Sequence, residues 1–271
     1  MRSNAKRGEI SSRQLFLILF TSRLFSLLIS VRSLGDFVFY FVLSFGLFLA
    51  VALLLNRLKS RTAMLISGLF CLALTALTVF GYVEFTSKAV HPSFGSALLV
   101  ALIAAAVIYA VSLRIEALSR FSLFCAATLA FALMISVLTN LKGFRFEYLK
   151  AVEFDISSNL LAAIECLDMP LIYFLLCGRV KSPPLLHYKK ALLASFVSAF
   201  LILVMCYGVM GNAARNYVYP AFTLFQLSEI GSFTRLDIAF TGSAVLALFL
   251  KCSVLTYCGI YGITGGKFEK N

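Results

Sequence analysis

Eight runs of about 20 mostly apolar residues succeed one another along this 271-residue chain. They cover residues 14–31, 37–55, 63–85, 95–113, 121–140, 158–177, 191–212 and 236–263. About 20 apolar residues are what a helix needs to cross the bilayer hydrocarbon, and open strands cannot satisfy their edges in lipid. We therefore predict an all-α fold, a polytopic membrane bundle of about eight transmembrane helices that forms a single membrane domain over residues 1–271.

Composition agrees, because 61% of the residues are hydrophobic and 13% are charged, against about 25% charged residues in an average soluble domain. The net charge is +12, yet the basic residues lie in short loops between apolar runs. This distribution indicates that the Lys and Arg residues interact with a membrane surface, and it argues against nucleic-acid binding.

The basic residues alternate between the two sides of the predicted bundle. With the N-terminus inside, 15 Lys and Arg residues fall on inside segments, seven fall on outside loops, and Arg23 and Lys251 lie within spans. The excess predicts a cell-membrane protein with both termini on the inner side of the membrane and an even number of crossings. The outside segment 213–235 is rich in aromatic residues, so we predict an interfacial segment on the outer face, with a short amphipathic helix from Ala221 to Ile230.

Motifs for catalysis or metal binding do not occur. The seven cysteines lie in or beside apolar runs without a CxxC pair, and the two histidines lie in loops without metal-ligand spacing. No nucleophile elbow, phosphate loop or zinc-protease motif is present. The sequence therefore predicts neither an enzyme nor a resident metal or cofactor.

Four ionisable residues within the apolar runs carry the most functional information: Arg23, Glu165, Asp168 and Lys251. A charge at mid-bilayer costs roughly 2.5–3.5 kcal/mol, so such residues face the bundle interior and pair. We expect the first, sixth and eighth spans to meet around them, with Glu165 and Asp168 on one helix face. Pro170 follows and frees a carbonyl for a ligand or cation. The pattern leaves two interpretations open: a ligand or ion site, and a buried ion pair that only fixes helix register.

Several stretches are similar to the spore germination permeases, the GerAB-type B subunits of germinant receptors. They are Ile10–Phe16, Tyr109–Arg120, Tyr219–Phe222, Ile230–Asp237 and Phe249–Lys251. The resemblance implies membership of the amino acid–polyamine–organocation transporter superfamily and a LeuT-like fold of two inverted five-helix repeats. It implies a location in the inner spore membrane with A- and C-type receptor subunits as partners. It also implies binding of a small nutrient such as an amino acid.

The resemblance also implies site residues. The pocket of that fold lies between the first and sixth helices, which makes Thr21, Ser22, Arg23, Glu165 and Asp168 the expected ligand-binding set. Lys251 in the eighth helix is expected to supply the positive charge that a cation provides in sodium-coupled relatives.

The chain departs from the family pattern in two places. It ends soon after the eighth span, so the last two helices of the LeuT-like fold are lacking, and the first span has no glycine break around Arg23. Three functions therefore remain open: a germinant-sensing subunit, a proton-coupled amino acid transporter, and a degenerate structural subunit in which Arg23 pairs with an acid and fills the pocket.

Overall fold

The computed structural model describes residues 10–54, 61–90, 96–149, 164–180, 184–228 and 237–265. Within these ranges the chain is helical, and its only extended pairing is an isolated bridge between Ile10 and Val180. The helices are α1 Ser12–Ser30, α2 Leu34–Leu54, α3 Arg61–Phe85, α4 Ser96–Ser112, α5 Arg114–Asn140, α6 Phe146–Leu149, α7 Asp168–Leu176, α8 Pro184–Met210, α9 Pro220–Gln226 and α10 Asp237–Thr264.

Six helical segments among the described residues are long and apolar enough to cross a membrane. They are Ser12–Ser30, Leu34–Val51, Arg61–Lys88, Arg114–Gly143, Leu185–Asn216 and Asp237–Thr264, and a shorter apolar helix covers Ala97–Ser112. The protein is therefore a multi-pass membrane protein. Of the predicted sixth span, residues 158–163 lie outside the described residues, so the number eight and the LeuT-like arrangement stay predictions.

Helix α1 lies at the centre of the bundle, in contact with α8, α5, α10 and α7. Its start is fixed by a capping box: the Ser11 hydroxyl accepts from the Gln14 backbone N–H at 3.2 Å, and the Gln14 side chain accepts from the Ser11 backbone N–H at 2.8 Å. Residues Thr21–Leu28 are buried on every side of the helix. A helix that is covered all round belongs to the interior of a bundle.

The sixth hydrophobic segment is interrupted in its middle. Ile164 and Glu165 are helical, Cys166 and Leu167 form a turn, and α7 begins at Asp168. Asp168 Oδ1 accepts from the Met169 backbone N–H at 2.5 Å, and its negative charge lies in the first turn of α7, where the helix dipole favours it. The interruption thus places the start of a helix inside the bundle.

Helices α3 and α10 approach each other most closely at three glycines. A Cβ atom at Gly68 would lie 2.7 Å from the carbonyl oxygen of Gly259, and one at Gly262 would lie 2.5 Å from the carbonyl oxygen of Met64. Gly262 therefore lies within α10 at a packing contact. Gly265, with φ +60°, is the glycine at the end of α10.

Helix α9 differs from the predicted amphipathic surface helix. It begins at Pro220, one residue before the predicted start, and ends at Gln226, whereas the predicted end, Ile230, lies outside the described residues. Most of its side chains are buried, because the Phe222 and Phe225 rings pack on Phe240 of α10 with centroid distances of 5.9 and 4.6 Å. The aromatic content that suggested an interface with lipid headgroups instead packs against the bundle. Where segment 213–235 lies relative to the membrane stays a prediction.

Candidate functional site

Three of the four predicted intramembrane charges meet at the carboxylate of Asp168. The Lys251 ammonium lies 2.9 Å from Asp168 Oδ2, and the Arg23 guanidinium lies 3.8 Å from Asp168 Oδ1. The three side chains are 3%, 1% and 1% exposed, with Lys251 the most exposed. The structure therefore brings α1, α7 and α10 together around one buried ionic centre, here called the charge cluster.

A serine that sequence reasoning did not single out completes the contact between α1 and α10. The Lys251 ammonium donates to Ser26 Oγ at 2.5 Å. The Ser26 hydroxyl lies 3.2 Å from the backbone carbonyl of Ser22 and 3.4 Å from Asp168 Oδ2, both of which can accept its proton. Ser26 follows Arg23 at the i, i+3 spacing that defines one helix face, and this spacing was the available signal.

The Arg23 guanidinium reaches into the interruption of the sixth segment. Nη1 donates to the backbone carbonyl of Glu165 at 3.5 Å, and Nη2 donates to Cys166 Sγ at 3.2 Å and to Ser44 Oγ of α2 at 2.6 Å. The rings of Tyr40 and Phe196 lie 5.5 and 5.6 Å from the guanidinium carbon, within the range of cation–π attraction. The sequence suggested that Pro170 would free a carbonyl in the preceding turn; that carbonyl belongs to Cys166, four residues earlier, whereas Arg23 contacts the neighbouring carbonyl of Glu165.

Glu165 does not join the charge cluster. Its carboxylate is half-buried and accepts from Ser30 Oγ at 2.7 Å. No ion pair links it to Arg23 or Lys251 in the described part of the chain. The cluster therefore contains two basic side chains and one acidic side chain, whereas the sequence allowed complete neutralisation by two acids.

Several buried polar groups of α1 and α10 lack a partner among the described residues. They are the hydroxyls of Thr21, Ser22 and Ser253 and the Nε of Arg23. Thr21 and Ser22 precede Arg23 on α1, and Ser253 follows Lys251 on α10 by two residues. Buried polar groups are usually hydrogen-bonded, so this set is available for a polar ligand or bound water.

The best-defined cavities of the described residues lie away from Arg23, Asp168 and Lys251. One of about 10 Å³ lies between α1, α8 and α9 and is lined by Leu27, Cys206 and Pro220 among others. An apolar groove of about 860 Å³ separates α3 from α4, and a polar recess of about 540 Å³ lies beside Tyr207. Because its three charged side chains are at most 3% exposed, the charge cluster is closed to solvent in this conformation.

The described residues contain no group of three or more His, Cys, Asp or Glu side chains that could hold a metal ion. Comparison of the whole chain with known proteins finds no matching family model and no matching curated protein. The fold and the site define the protein as a multi-pass helical membrane protein with a buried ionic centre. The ligand-binding roles of Thr21, Ser22, Arg23, Glu165 and Asp168 stay predictions.

Proposed function

We propose that this protein is the non-enzymatic membrane subunit of a spore germinant receptor and that it binds a small nutrient carrying a carboxylate, such as an amino acid. It would reside in the inner spore membrane with both termini inside, together with A- and C-type subunits. The observation that supports ligand binding is that, among the described residues, Arg23 and Lys251 share one carboxylate, that of Asp168.

The distances show which cation is short of a partner. The Lys251 ammonium lies 2.9 Å from Asp168 Oδ2, a close ion pair, whereas the Arg23 guanidinium lies 3.8 Å from Asp168 Oδ1. A buried charge is costly unless it is paired and hydrogen-bonded. An incoming carboxylate would supply the missing charge, and the planar guanidinium can bind it through two donors. The Nε of Arg23, which has no hydrogen-bond partner among the described residues, adds a further donor.

Closure of the cluster favours a sensing role for such a site. Because Arg23 is 1% exposed, ligand binding requires the guanidinium to leave some of its contacts with Ser44, Cys166 and the Glu165 carbonyl. Those contacts connect α1 to α2 and to the interrupted sixth segment. Ligand binding would therefore change the packing of these elements, and a partner subunit could detect that change.

Lys251 has a second proposed role: it supplies a permanent positive charge between α1 and α10, the first and eighth predicted spans. Its contacts with Ser26 of α1 and Asp168 of α7 support this role, because a bound cation would bridge the same elements. Ligand binding should then be independent of sodium and should be lost in Lys251→Met. A strict sodium requirement in the wild-type protein would contradict this role.

A second candidate is a structural subunit without a ligand, and the closed cluster is the observation that favours it. Thermal-shift measurements on the purified protein in nanodiscs separate the two. An amino acid should raise the melting temperature of the wild-type protein and not that of Arg23→Gln, while the exposed control Arg61→Gln should respond like the wild type. The matching amino acid amide, which lacks the carboxylate, should give no shift.

The test fails for the ligand site if no amino acid, other small carboxylate or nucleoside raises the melting temperature of the wild-type protein. The structural role is then correct. Uptake of labelled amino acid into sealed vesicles tests the remaining alternative. A proton-coupled transporter would accumulate the label when a proton gradient is applied, and a receptor subunit would not.

A further inference from the structure

The largest of the cavities described above is the apolar groove of about 860 Å³ between α3 and α4, here called the α3–α4 groove. Its described lining comes from one side of α3, one side of α4 and Thr256 of α10. These lining side chains are uncharged, and all of them are apolar except the threonines Thr75 and Thr256. A mostly apolar cleft with a few polar groups is the usual form of a small-molecule site.

The two threonine hydroxyls lie close together at one end of the α3 wall, because Thr75 is the first lining residue of α3 and Val83 is the last. Thr75 Oγ1 donates to the backbone carbonyl of Cys71 at 3.0 Å, so its proton is used within α3. Thr256 Oγ1 lies 3.5 Å from Thr75 Oγ1, whereas hydrogen bonds between hydroxyls are about 2.5–3.0 Å long. The Thr256 proton is therefore weakly bonded within the described part of the chain.

The size of the groove distinguishes a small molecule from a whole helix as its occupant. Along α4 the lining extends from Ala97 to Ile108, which is about 16 Å at the helical rise per residue. A helix of that length with side chains, about 10–12 Å across, has a volume of roughly 1,250–1,800 Å³. This is more than the groove of about 860 Å³ can hold. Small-molecule sites measure about 300–1,000 Å³, so the groove is suited to one molecule of that class.

We propose that the α3–α4 groove binds a long-chain alcohol, with its hydroxyl at Thr75 and Thr256 and its hydrocarbon chain along the apolar walls. Because the two threonine oxygens are 3.5 Å apart, a third oxygen can lie about 2.8 Å from both. It accepts the proton of Thr256 and donates its own proton to Thr75. A plain hydrocarbon fills the same space but leaves the Thr256 hydroxyl weakly bonded in apolar surroundings, which is unfavourable. This site is separate from the charge cluster and does not depend on nutrient binding.

Photolabelling of the full-length protein in phosphatidylcholine nanodiscs provides the test. One probe is dodecanol with a diazirine in its chain, and the matched probe is the same hydrocarbon without the hydroxyl. Mass spectrometry measures how strongly each probe labels peptides of α3 and α4. For the wild-type protein, we expect the alcohol to label about fivefold more strongly than the hydrocarbon, as one net hydrogen bond would cause. Unlabelled dodecanol should compete with this labelling, and dodecane should not.

Two pairs of variants separate the hydroxyls from the shape of the groove. Thr75→Val combined with Thr256→Val keeps the shape, so the preference for the alcohol should disappear while labelling by the hydrocarbon remains. The control Thr78→Val removes a hydroxyl of α3 that bonds within its own helix and lies outside the lining, and it should change nothing. Ala104→Phe fills the groove and should reduce labelling by both probes. Ala105→Phe, exposed on the same helix but outside the lining, should not.

Equal labelling of the wild-type protein by the two probes would overturn the proposal, because lipid chains of any kind would then fill the groove. A preference for the alcohol that survives the loss of both threonine hydroxyls would also overturn it. So would photocrosslinks that join two copies of the chain through α4, since a second copy would then be the occupant. If the double variant misfolds, single changes replace it: Thr256→Ser should keep the preference and Thr256→Val should lose it.

Discussion

Removing the negative charge of Asp168 should destabilise the protein far more than removing the positive charge of Lys251. Asp168→Asn keeps the shape of the side chain but leaves Arg23 and Lys251 buried without a counter-charge. Lys251→Met leaves Asp168 with Arg23 at 3.8 Å, a pair with no net charge. The asymmetry follows because the cluster holds two cations and one anion.

The structure sets the size of each effect. Breaking a buried ion pair by removing one partner costs about 3–5 kcal/mol, and Asp168→Asn orphans two cations, so we expect about 4–5 kcal/mol. Lys251→Met loses the bonds to Asp168 and Ser26. It also removes the excess buried charge, so we expect about 0–2 kcal/mol. The difference between the two variants should therefore be about 2–4 kcal/mol.

Reversible unfolding in mixed detergent micelles, followed with a thiol-reactive dye, provides the measurement. The chain has no tryptophan, but six of its seven free cysteines are buried and become reactive when the bundle opens. The exposed acid Glu147, changed to Gln, should alter the unfolding free energy by less than about 0.5 kcal/mol. If Lys251→Met proves as destabilising as Asp168→Asn, the assignment of Asp168 as the shared anion of two cations is wrong.

Three further predictions concern the packing and the backbone. Gly68→Ala places a methyl group against the Gly259 carbonyl and should lower the unfolding free energy by about 1–3 kcal/mol in the same assay. The control Gly81→Ala lies on the same helix with nothing within 4 Å, so it should be neutral or stabilising by up to about 1 kcal/mol. Arg114 has φ 69°, so Arg114→Gly should stabilise by about 1 kcal/mol, and an unchanged or lower unfolding free energy would show that its side chain contributes more than the strain costs. Asn140 donates to the Leu224 carbonyl and the Ser228 hydroxyl, so Asn140→Leu should accelerate hydrogen exchange across α9, and unchanged exchange would show that aromatic packing alone holds that helix.

Much of the charge cluster could be predicted from the sequence because charges are rare and costly inside apolar spans. That reasoning placed Arg23, Asp168 and Lys251 together, which the structure confirms. It failed for Glu165, because the i, i+3 rule that put Glu165 beside Asp168 assumes an unbroken helix. The turn at Cys166 and Leu167 rotates the two acids apart. Pro170 was a signal of that turn, but its effect on Glu165 needs the backbone geometry.

Two other differences come from tertiary contacts that composition does not encode. Hydropathy started the fifth span after Arg120, whereas α5 begins at Arg114, and the Phe121 ring in the early part of this helix packs on Phe249 of α10. The aromatic residues after Tyr217 resembled an interfacial belt. Their burial depends on Phe85 and Phe240, which are distant in sequence and contact Phe222 at ring distances of 5.4 and 5.9 Å.

The glycine contact between α3 and α10 has a mechanical consequence. The backbones lie close together at Gly68, Gly259 and Gly262, because small residues at a helix contact allow two helices to pack tightly. The two helices should therefore move as one rigid lever. A displacement of Lys251 on α10 would therefore also move the end of α3, where Phe85 packs on Tyr219 beside α9. A change of charge in the middle of the bilayer would in this way become a movement at one surface of the protein.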